Sequence, residues 1–256
     1  MRDRAELPGR ERSEAIVVGR FSLDPGEWFA EHQHDQHQLI WARSGVLGVK
    51  IGDLRWVLPT TRALWVPAGV PHRTGASTVA EMLSPFLLPE RCDVAWTTPT
   101  PIAVDELLGP LITYLAADLD PGARARAEGV VVDLLRPAPA RPIRIPMPED
   151  DRARAVADLL IRDPADPRAL GALARSVGSS RRTITRRFAD ETGMPFHAWR
   201  AQVRIHAGVA LLADGHPVGR VAGAVGYATP STFTATFRRV LGFTPSEYAR
   251  AGLSSR

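Results

Sequence analysis

The stretch LARSVGSSRRTITRRF, residues 173–188, returns as VAGAVGYATPSTFTATF, residues 221–237, and this recurrence decides how the C-terminal half folds. The copies correspond at an offset of 48 before the turn and 49 after it, so the second carries one extra turn residue. A repeat of this size is a repeated structural unit. In each copy an apolar helix leads through a Gly-containing turn into a second helix. The inward side of that second helix is marked by an i, i+4 pair, Ile184 with Phe188 and Phe233 with Phe237. Residues four apart share one face of a helix, and two helices joined by a tight turn make a helix-turn-helix. Ser179 or Ser180 is placed to cap the second helix of the first copy; Thr229, followed by Pro230 at the first helical position, does the same in the second.

With Ile184 and Phe188 turned in, Arg181, Arg182, Thr185 and Arg186 turn out. An Arg fork there can reach guanine O6 and N7 in a major groove. A solvated charged face is the plainer reading of the same residues, and the repeat is what argues against it. Between the copies, Pro195 to Ala213 reads as one amphipathic helix with Phe196, Trp199, Val203, Ala207 and Ala210 along a single stripe. At 1.5 Å per residue it is about 28 Å long, comparable with the ~34 Å between major-groove faces one turn apart. One chain could then set two recognition helices on one face of a duplex.

Residues from about Asp151 to Arg250 resemble the AraC/XylS family of transcription regulators. The resemblance is carried by Val221-Ala222, Val225-Gly226-Tyr227, Ser231, Phe233, Phe237-Arg238-Arg239, Gly242, Thr244-Pro245 and Tyr248. It implies base-reading positions at Arg182, Thr185 and Arg186 in the first unit and at Pro230, Ser231 and Ala235 in the second, with Ser180 and Arg181 beside the first set. The second set is small, and Ala235 cannot hydrogen-bond a base. The first unit is therefore expected to carry most direct readout, and the second to contribute phosphate contacts through Ser231, Thr234, Arg238 and Arg239 and methyl contacts to thymine.

Working back toward the N-terminus, RPAPARPIRIPMP, residues 136–148, holds five prolines and cannot be a regular helix, which makes it the linker. The expected domains are 1–140, a linker at 141–149, and 150–256. The charge divides there too. Residues 1–148 hold 16 Lys and Arg against 18 Asp and Glu, and residues 149–256 hold 16 against 10. The second half is basic through Arg alone, since Lys50 is the single lysine. Arg suits phosphates and guanine edges, although Arg-only usage is also what a GC-rich genome produces.

Before the linker, Asp105 to Ala117 and Ala123 to Leu135 read as two helices around the turn Asp120-Pro121-Gly122. They either cover an open side of a barrel or form a dimer interface. From Ala15 to Leu88 short apolar or alternating runs, AIVVGRF, QLIWAR, VLGVKI, LRWVL, ALWVP and VAEMLSPFLL, read as strands. Gly52-Asp53 is the kind of two-residue loop that closes a hairpin. Strands so closely spaced favour a small barrel or sandwich.

Three histidines, His32, His34 and His37, fall within six residues, and His72 follows in the same half. Alternation places His32 and His34 on one face. Gly26-x5-His32-x-His34-x3-Gln38-x6-Gly45 resembles the first motif of the cupins, and Pro67-x-Gly69-x2-His72 resembles the second. In cupins those positions supply three His and a Glu to a divalent transition metal inside the barrel. Here Gln38 stands where the Glu is expected, Thr61 where the second motif usually opens with Gly, and Ala76 where Asn is common. The resemblance implies one metal at His32, His34 and His72 with Gln38 or His37 completing the shell; the alternative is uncharged polar groups lining a small-molecule pocket. Trp28, Trp41, Trp56, Trp65 and Phe86 either line that pocket or are barrel core.

Apolar residues make up 45% of the 256 residues and charged residues 23%, the balance of a packed globular protein. The opening MRDRAELPGRERSEA lacks the apolar run of a secretory signal, no segment approaches the ~20 apolar residues of a membrane span, and Cys92 has no partner for an internal disulfide. A cytoplasmic protein is expected. The fold class is α+β: a cupin-like small β-barrel with covering helices, then an all-α domain of two helix-turn-helix units joined by a linker helix. Such a chain is expected to be a sequence-specific transcription regulator, not an enzyme, whose barrel senses a small molecule or metal. Its partners would be double-stranded DNA, a small-molecule effector, RNA polymerase if it activates, and a second copy of itself. Two alternatives stand: a metal-dependent cupin enzyme with a DNA-binding appendage, disfavoured by the carboxylate-free ligand set, and an architectural DNA binder whose barrel only dimerises.

Overall fold

The alternating runs of the N-terminal half become β1 (Ile16–Leu23), β2 (His37–Ser44), β3 (Val46–Ile51), β4 (Leu54–Pro59), β5 (Arg62–Val66), β6 (Arg73–Ala76), β7 (Ala80–Leu87) and β8 (Thr100–Ala103). The computed structural model describes residues 15–52, 54–138 and 142–253. The charged opening, residues 1–14, and Asp53 of the expected hairpin loop lie outside them. Five strands hydrogen-bond in the order β1-β7-β2-β5-β8, and a second sheet carries β6, β3 and β4 in that order. Strands β3 and β4 pair from Val46 opposite Pro59 to Ile51 opposite Leu54, which leaves two residues to turn the hairpin.

Period-two alternation sorts the side chains between two cores. Ile40 and Ala42 of β2, Leu64 and Val66 of β5 and Met82 of β7 pack with Leu47, Val49, Trp56 and Leu58 between the sheets. Their neighbours Leu39, Trp41, Ala63, Trp65, Leu83 and Leu87 point the other way, onto α1 (Leu108–Leu115) and α2 (Pro121–Leu134). Trp41 and Trp65 are thus part of the core beneath the helices. Trp28 lies flat on the chain instead: a Cβ on Gly75 would sit 2.3 Å from its Cδ2 and 2.6 Å from the Glu27 carbonyl oxygen, so only glycine fits there.

Both covering helices start differently from the sequence expectation, for reasons of capping. Asp105 stays outside α1 and accepts hydrogen bonds from Leu107 N (3.0 Å) and Leu108 N (2.8 Å). Asp120 caps α2 through Gly122 N and Ala123 N, so Pro121 and Gly122 belong to the helix and not to a preceding turn. Two strands of the N-terminal half escaped the sequence reading. β6 and β8 have four residues each, and the Gly and Pro within them hide the alternation.

The second unit, which runs from Pro142 to Pro245, opens with a two-residue strand, β9 (Ile143–Arg144), and is then helical: α3 (Asp151–Arg162), α4 (Leu170–Ser176), α5 (Arg181–Thr192), α6 (Phe196–Ala213), α7 (Val218–Ala224) and α8 (Pro230–Leu241), with α9 (Pro245–Leu253) closing the described chain. Of the Pro-rich stretch, residues 139–141 lie outside the described residues. The rest does not hang free: Ile145 and Met147 pack on the α3-α4-α5 core, and the Trp199 indole donates to the Pro146 carbonyl at 2.8 Å.

The single stripe expected on α6 does not hold. Phe196, Trp199 and Val203 are buried with α3, α4 and α5, but Ala210 is exposed and Ala207 only half-buried. The helix switches faces midway. Ile205, Gly208, Val209 and Leu212 are buried instead, and at about 100° per residue they point roughly opposite to the first three. Gly208 lets Phe233 of α8 come close, since a Cβ there would meet the ring at 3.0 Å. The N-terminal half of α6 therefore belongs to the first helix-turn-helix and the C-terminal half to the second.

Candidate nucleic-acid interface and histidine cluster

The two helix-turn-helix units repeat in atomic detail what the sequence repeats in pattern. Helices α4 and α7 are followed by left-handed glycines, Gly178 at φ +67° and Gly226 at φ +82°, which turn the chain into α5 and α8. Each second helix is capped by a hydroxyl. Ser180 Oγ accepts from Thr183 N at 3.1 Å and Thr229 Oγ1 from Thr232 N at 3.2 Å, which assigns the first cap to Ser180 over Ser179. Gly193 and Gly242 end the helices in the left-handed conformation. Ile184, Phe188, Phe233 and Phe237 have no exposed surface.

That inward anchoring fixes what turns outward. Ser180, Arg181, Arg182, Thr185 and Arg186 are exposed on α5 and its cap, and Pro230, Ser231, Ala235, Arg238 and Arg239 on α8, with Thr234 half-buried. Arg181, Arg182 and Arg186 form no ion pair among the described residues. Arg187, next along α5, is engaged by Asp150 at 3.4 Å and by Glu191 at 3.4 Å, so it is held back from the outward set.

In the first unit His32, His34 and His72 come together, each offering a ligand atom within 4.8 Å of the others. His32 and His72 face each other across an antiparallel bridge, their rings 4.5 Å apart. Each ring is oriented by its own neighbour in the chain. Nδ1 of His32 donates to the Ala30 carbonyl (2.9 Å), that of His34 to Gln36 (2.8 Å) and that of His72 to Val70 (2.9 Å). A carbonyl only accepts, so the Nδ1 atoms carry the protons, and in the neutral rings Nε2 is left with a lone pair.

Gln38 meets those lone pairs. Its Oε1 lies 3.0 Å from His34 Nε2 and 2.8 Å from His72 Nε2. Ser84 fixes which end of the amide faces the histidines, because its hydroxyl donates to the Leu39 carbonyl (3.3 Å) and so must accept from Gln38 Nε2 (2.8 Å). His72 is fully buried. Burial, with the neighbouring His32 and His34, brings its pKa down to about 4, so the ring is neutral at neutral pH. In the neutral form of the rings, electron pairs thus converge with no proton between them. Such a donor set suits a divalent transition metal, with imidazole nitrogens oriented by backbone carbonyls as metal-binding histidines usually are. His32, His34, His72 and Gln38 would hold it.

His37 is not part of this set. Alternation along β2 turns it to the other side of the sheet, where its ring lies 4.8 Å from that of Trp65 and its Nδ1 accepts from Ala68 N at 3.1 Å. Phe86 is the aromatic residue that reaches the cluster, its ring edge-on to His34 at 5.2 Å. Ser84 was missed by the sequence reading. Its signal was the alternation Met82, Ser84, Phe86, which puts a hydroxyl at an inward position beside Gln38.

A helix-turn-helix domain model matches residues 173–251, and a cupin domain model matches residues 19–86. Over 222 residues the chain is 29% identical to the HTH-type transcriptional regulator NimR of Escherichia coli, covering 85% of this chain and 81% of that one. It is 42% identical over 103 residues to the HTH-type transcriptional regulator RipA of Corynebacterium glutamicum, a match over 40% of this chain and 31% of RipA. A crystal structure of ToxT from Vibrio cholerae aligns with 94% of this chain and 99% of its own at 12% identity and a TM-score of 0.39.

Proposed function

Because the chain is a DNA-binding transcription regulator that joins an AraC-type helix-turn-helix domain to a cupin domain, we propose that it reads a specific operator and that its cupin domain governs that binding through the histidine cluster. The observation that carries the sensing role is the convergence of imidazole and amide lone pairs on one point, with Ser84 holding Gln38 in place. A metal ion bound there would supply an open coordination position for an effector. His32, His34 and His72 orient toward that position through their carbonyl partners, and Phe86 closes one side of it.

On the DNA side, Arg182, Thr185 and Arg186 read base edges, with Ser180 and Arg181 beside them. Pro230, Ser231, Thr234, Ala235, Arg238 and Arg239 hold the second half-site mainly through phosphates. The functional domains are residues 1–140 for sensing and 150–256 for DNA. The protein works in the cytoplasm as a regulator and not as an enzyme, with RNA polymerase as a further partner where it activates. Leu107, Tyr114 and Val130, exposed on the outward side of α1 and α2, favour a homodimer through those helices, which then serve as cover and interface together.

The test is elemental analysis of protein made without a metal-affinity tag, followed by titration of DNA from its own upstream region with and without chelator at fixed salt. Stoichiometric metal and a chelator-dependent affinity are expected. No metal and no shift would return the cluster to pocket lining and move the search to organic ligands.

A further inference from the structure

A groove of about 930 Å³ opens in the second unit, lined by α4, α5, the first half of α6 and α8. Its chemistry is one-sided. Arg175, Arg181, His197, Arg200, Arg204 and Arg239 line it, and none of the lining residues is Asp or Glu. Two of the arginines are held in place from behind. Arg200 donates from Nη1 to the Arg168 carbonyl at 2.8 Å and from Nη2 to the Asp166 carbonyl, while its Nε is buried without a partner. Arg204 donates to the Pro164 carbonyl at 3.0 Å, and its guanidinium lies 5.4 Å over the Tyr227 ring. Carbonyls orient these guanidinium groups but neutralise neither. Being one turn apart on α6, the two also repel, and burial together with the Arg204 charge lowers the pKa of Arg200. The carboxylates that act on Arg200, Asp163 and Asp166, are not in the lining, and Asp166 is already engaged by Arg168 at 2.6 Å.

We propose that this groove seats backbone phosphates of the DNA segment lying between the two recognition helices, with Arg175, Arg200 and Arg204 as phosphate contacts additional to those on α5 and α8. The proposal rests on the DNA-reading assignment above. When two helices on one protein enter successive major-groove segments on one face of a duplex, the sugar-phosphate strands bordering the intervening minor groove lie between them. The groove occupies the corresponding place, between α5 and α8, and preset guanidinium groups match phosphate oxygens.

The experiment uses the full-length chain with two 30-base-pair duplexes, one selected by the protein from a randomised library and one scrambled. Binding is followed by fluorescence anisotropy from 50 to 200 mM salt for the wild type, Arg175→Gln and Arg204→Gln. Arg175 sits exposed at the end of α4, so its replacement leaves the fold intact even if Arg204→Gln, which gives up a helix-anchoring bond, melts early. Each lost phosphate contact lowers the slope of log K against log salt by about 0.9. The expected result is that loss on both duplexes, with the preference between them kept. Unchanged slopes in both variants would overturn the proposal while leaving the regulator intact. So would a loss confined to the selected duplex, which would mark base reading. Inorganic phosphate raising the melting temperature of the wild type but not of Arg175→Gln, with DNA slopes unchanged, would assign the groove to a free anion instead. Absence of any preference between duplexes in the wild type would instead sink the base-reading assignment, and the slopes would still decide the groove.

Discussion

Acid should loosen the cupin domain through His72. In the metal-free protein the folded-state pKa of this ring lies at about 4, against 6.5 for an unburied imidazole. Below pH 6.5 the unfolded chain binds a proton that the folded chain refuses, so the stabilisation is complete above that pH and drains away as pH falls toward 4. At 1.36 kcal/mol per unit, the loss between pH 7 and pH 5 is about 2 kcal/mol. Urea unfolding read by tryptophan fluorescence suits the measurement, because five of the six tryptophans, all but Trp199, lie in the first unit. His37, whose pKa burial also lowers, adds a smaller loss of the same sign. His72→Phe should therefore flatten most but not all of the slope. The reasoning fails if the wild type loses less than about 0.5 kcal/mol over that interval, a third or less of the linkage expected from this shift, or if His72→Phe loses as much as the wild type.

Three further outcomes follow from the geometry. Replacing Arg182 or Arg186 by Ala should cost about 1–3 kcal/mol on the preferred duplex and relax the base preference at one position, read from binding to single-substitution operators at fixed salt; an unchanged preference would remove them from base reading. Phe188→Ala should destabilise the second unit by about 3–5 kcal/mol, because that ring meets both Phe196 and Trp199 at 5.1 Å; Trp199 emission in a chain whose other tryptophans are replaced by Phe would follow the transition, and a loss under 1 kcal/mol would contradict the packing. Gln38→Glu should tighten zinc binding at least about tenfold in calorimetric titration by adding a charged oxygen to a neutral set; equal affinity would place Gln38 outside the ligand shell.

Much of this was legible in the sequence where the chain repeats or alternates. Ile184 with Phe188 and Phe233 with Phe237 announced both helix-turn-helix units, because a buried pair one turn apart leaves few outward choices for its neighbours. The spacing of His32, His34 and His72 placed the cluster, and alternation should already have excluded His37, which is one residue out of step with Gln38. What failed was the α6 stripe. A helix that serves two cores in succession shows no single periodicity, and Ile205, Val209 and Leu212 are invisible to a count that assumes one face. Ser84 and Arg200 were hidden for a different reason. Their roles depend on partners 46 and 32–34 residues away, which no local pattern encodes.

The face switch within α6 makes that helix a phase device. A single residue inserted after Val203 would turn everything beyond it by about 100° and push it about 1.5 Å onward. Gly208 and the Phe233 ring packed against it would turn together with the rest of the second helix-turn-helix, and α8 would leave the side of the molecule that α5 occupies. Seven inserted residues would bring the rotation back to within about 20° of whole turns while adding about 10.5 Å, roughly three base-pair steps. Three base-pair steps also turn the duplex by about a third of a turn, so even that insertion would aim α8 away from its groove, and the half-site spacing this protein accepts is tied to the residue count of one helix.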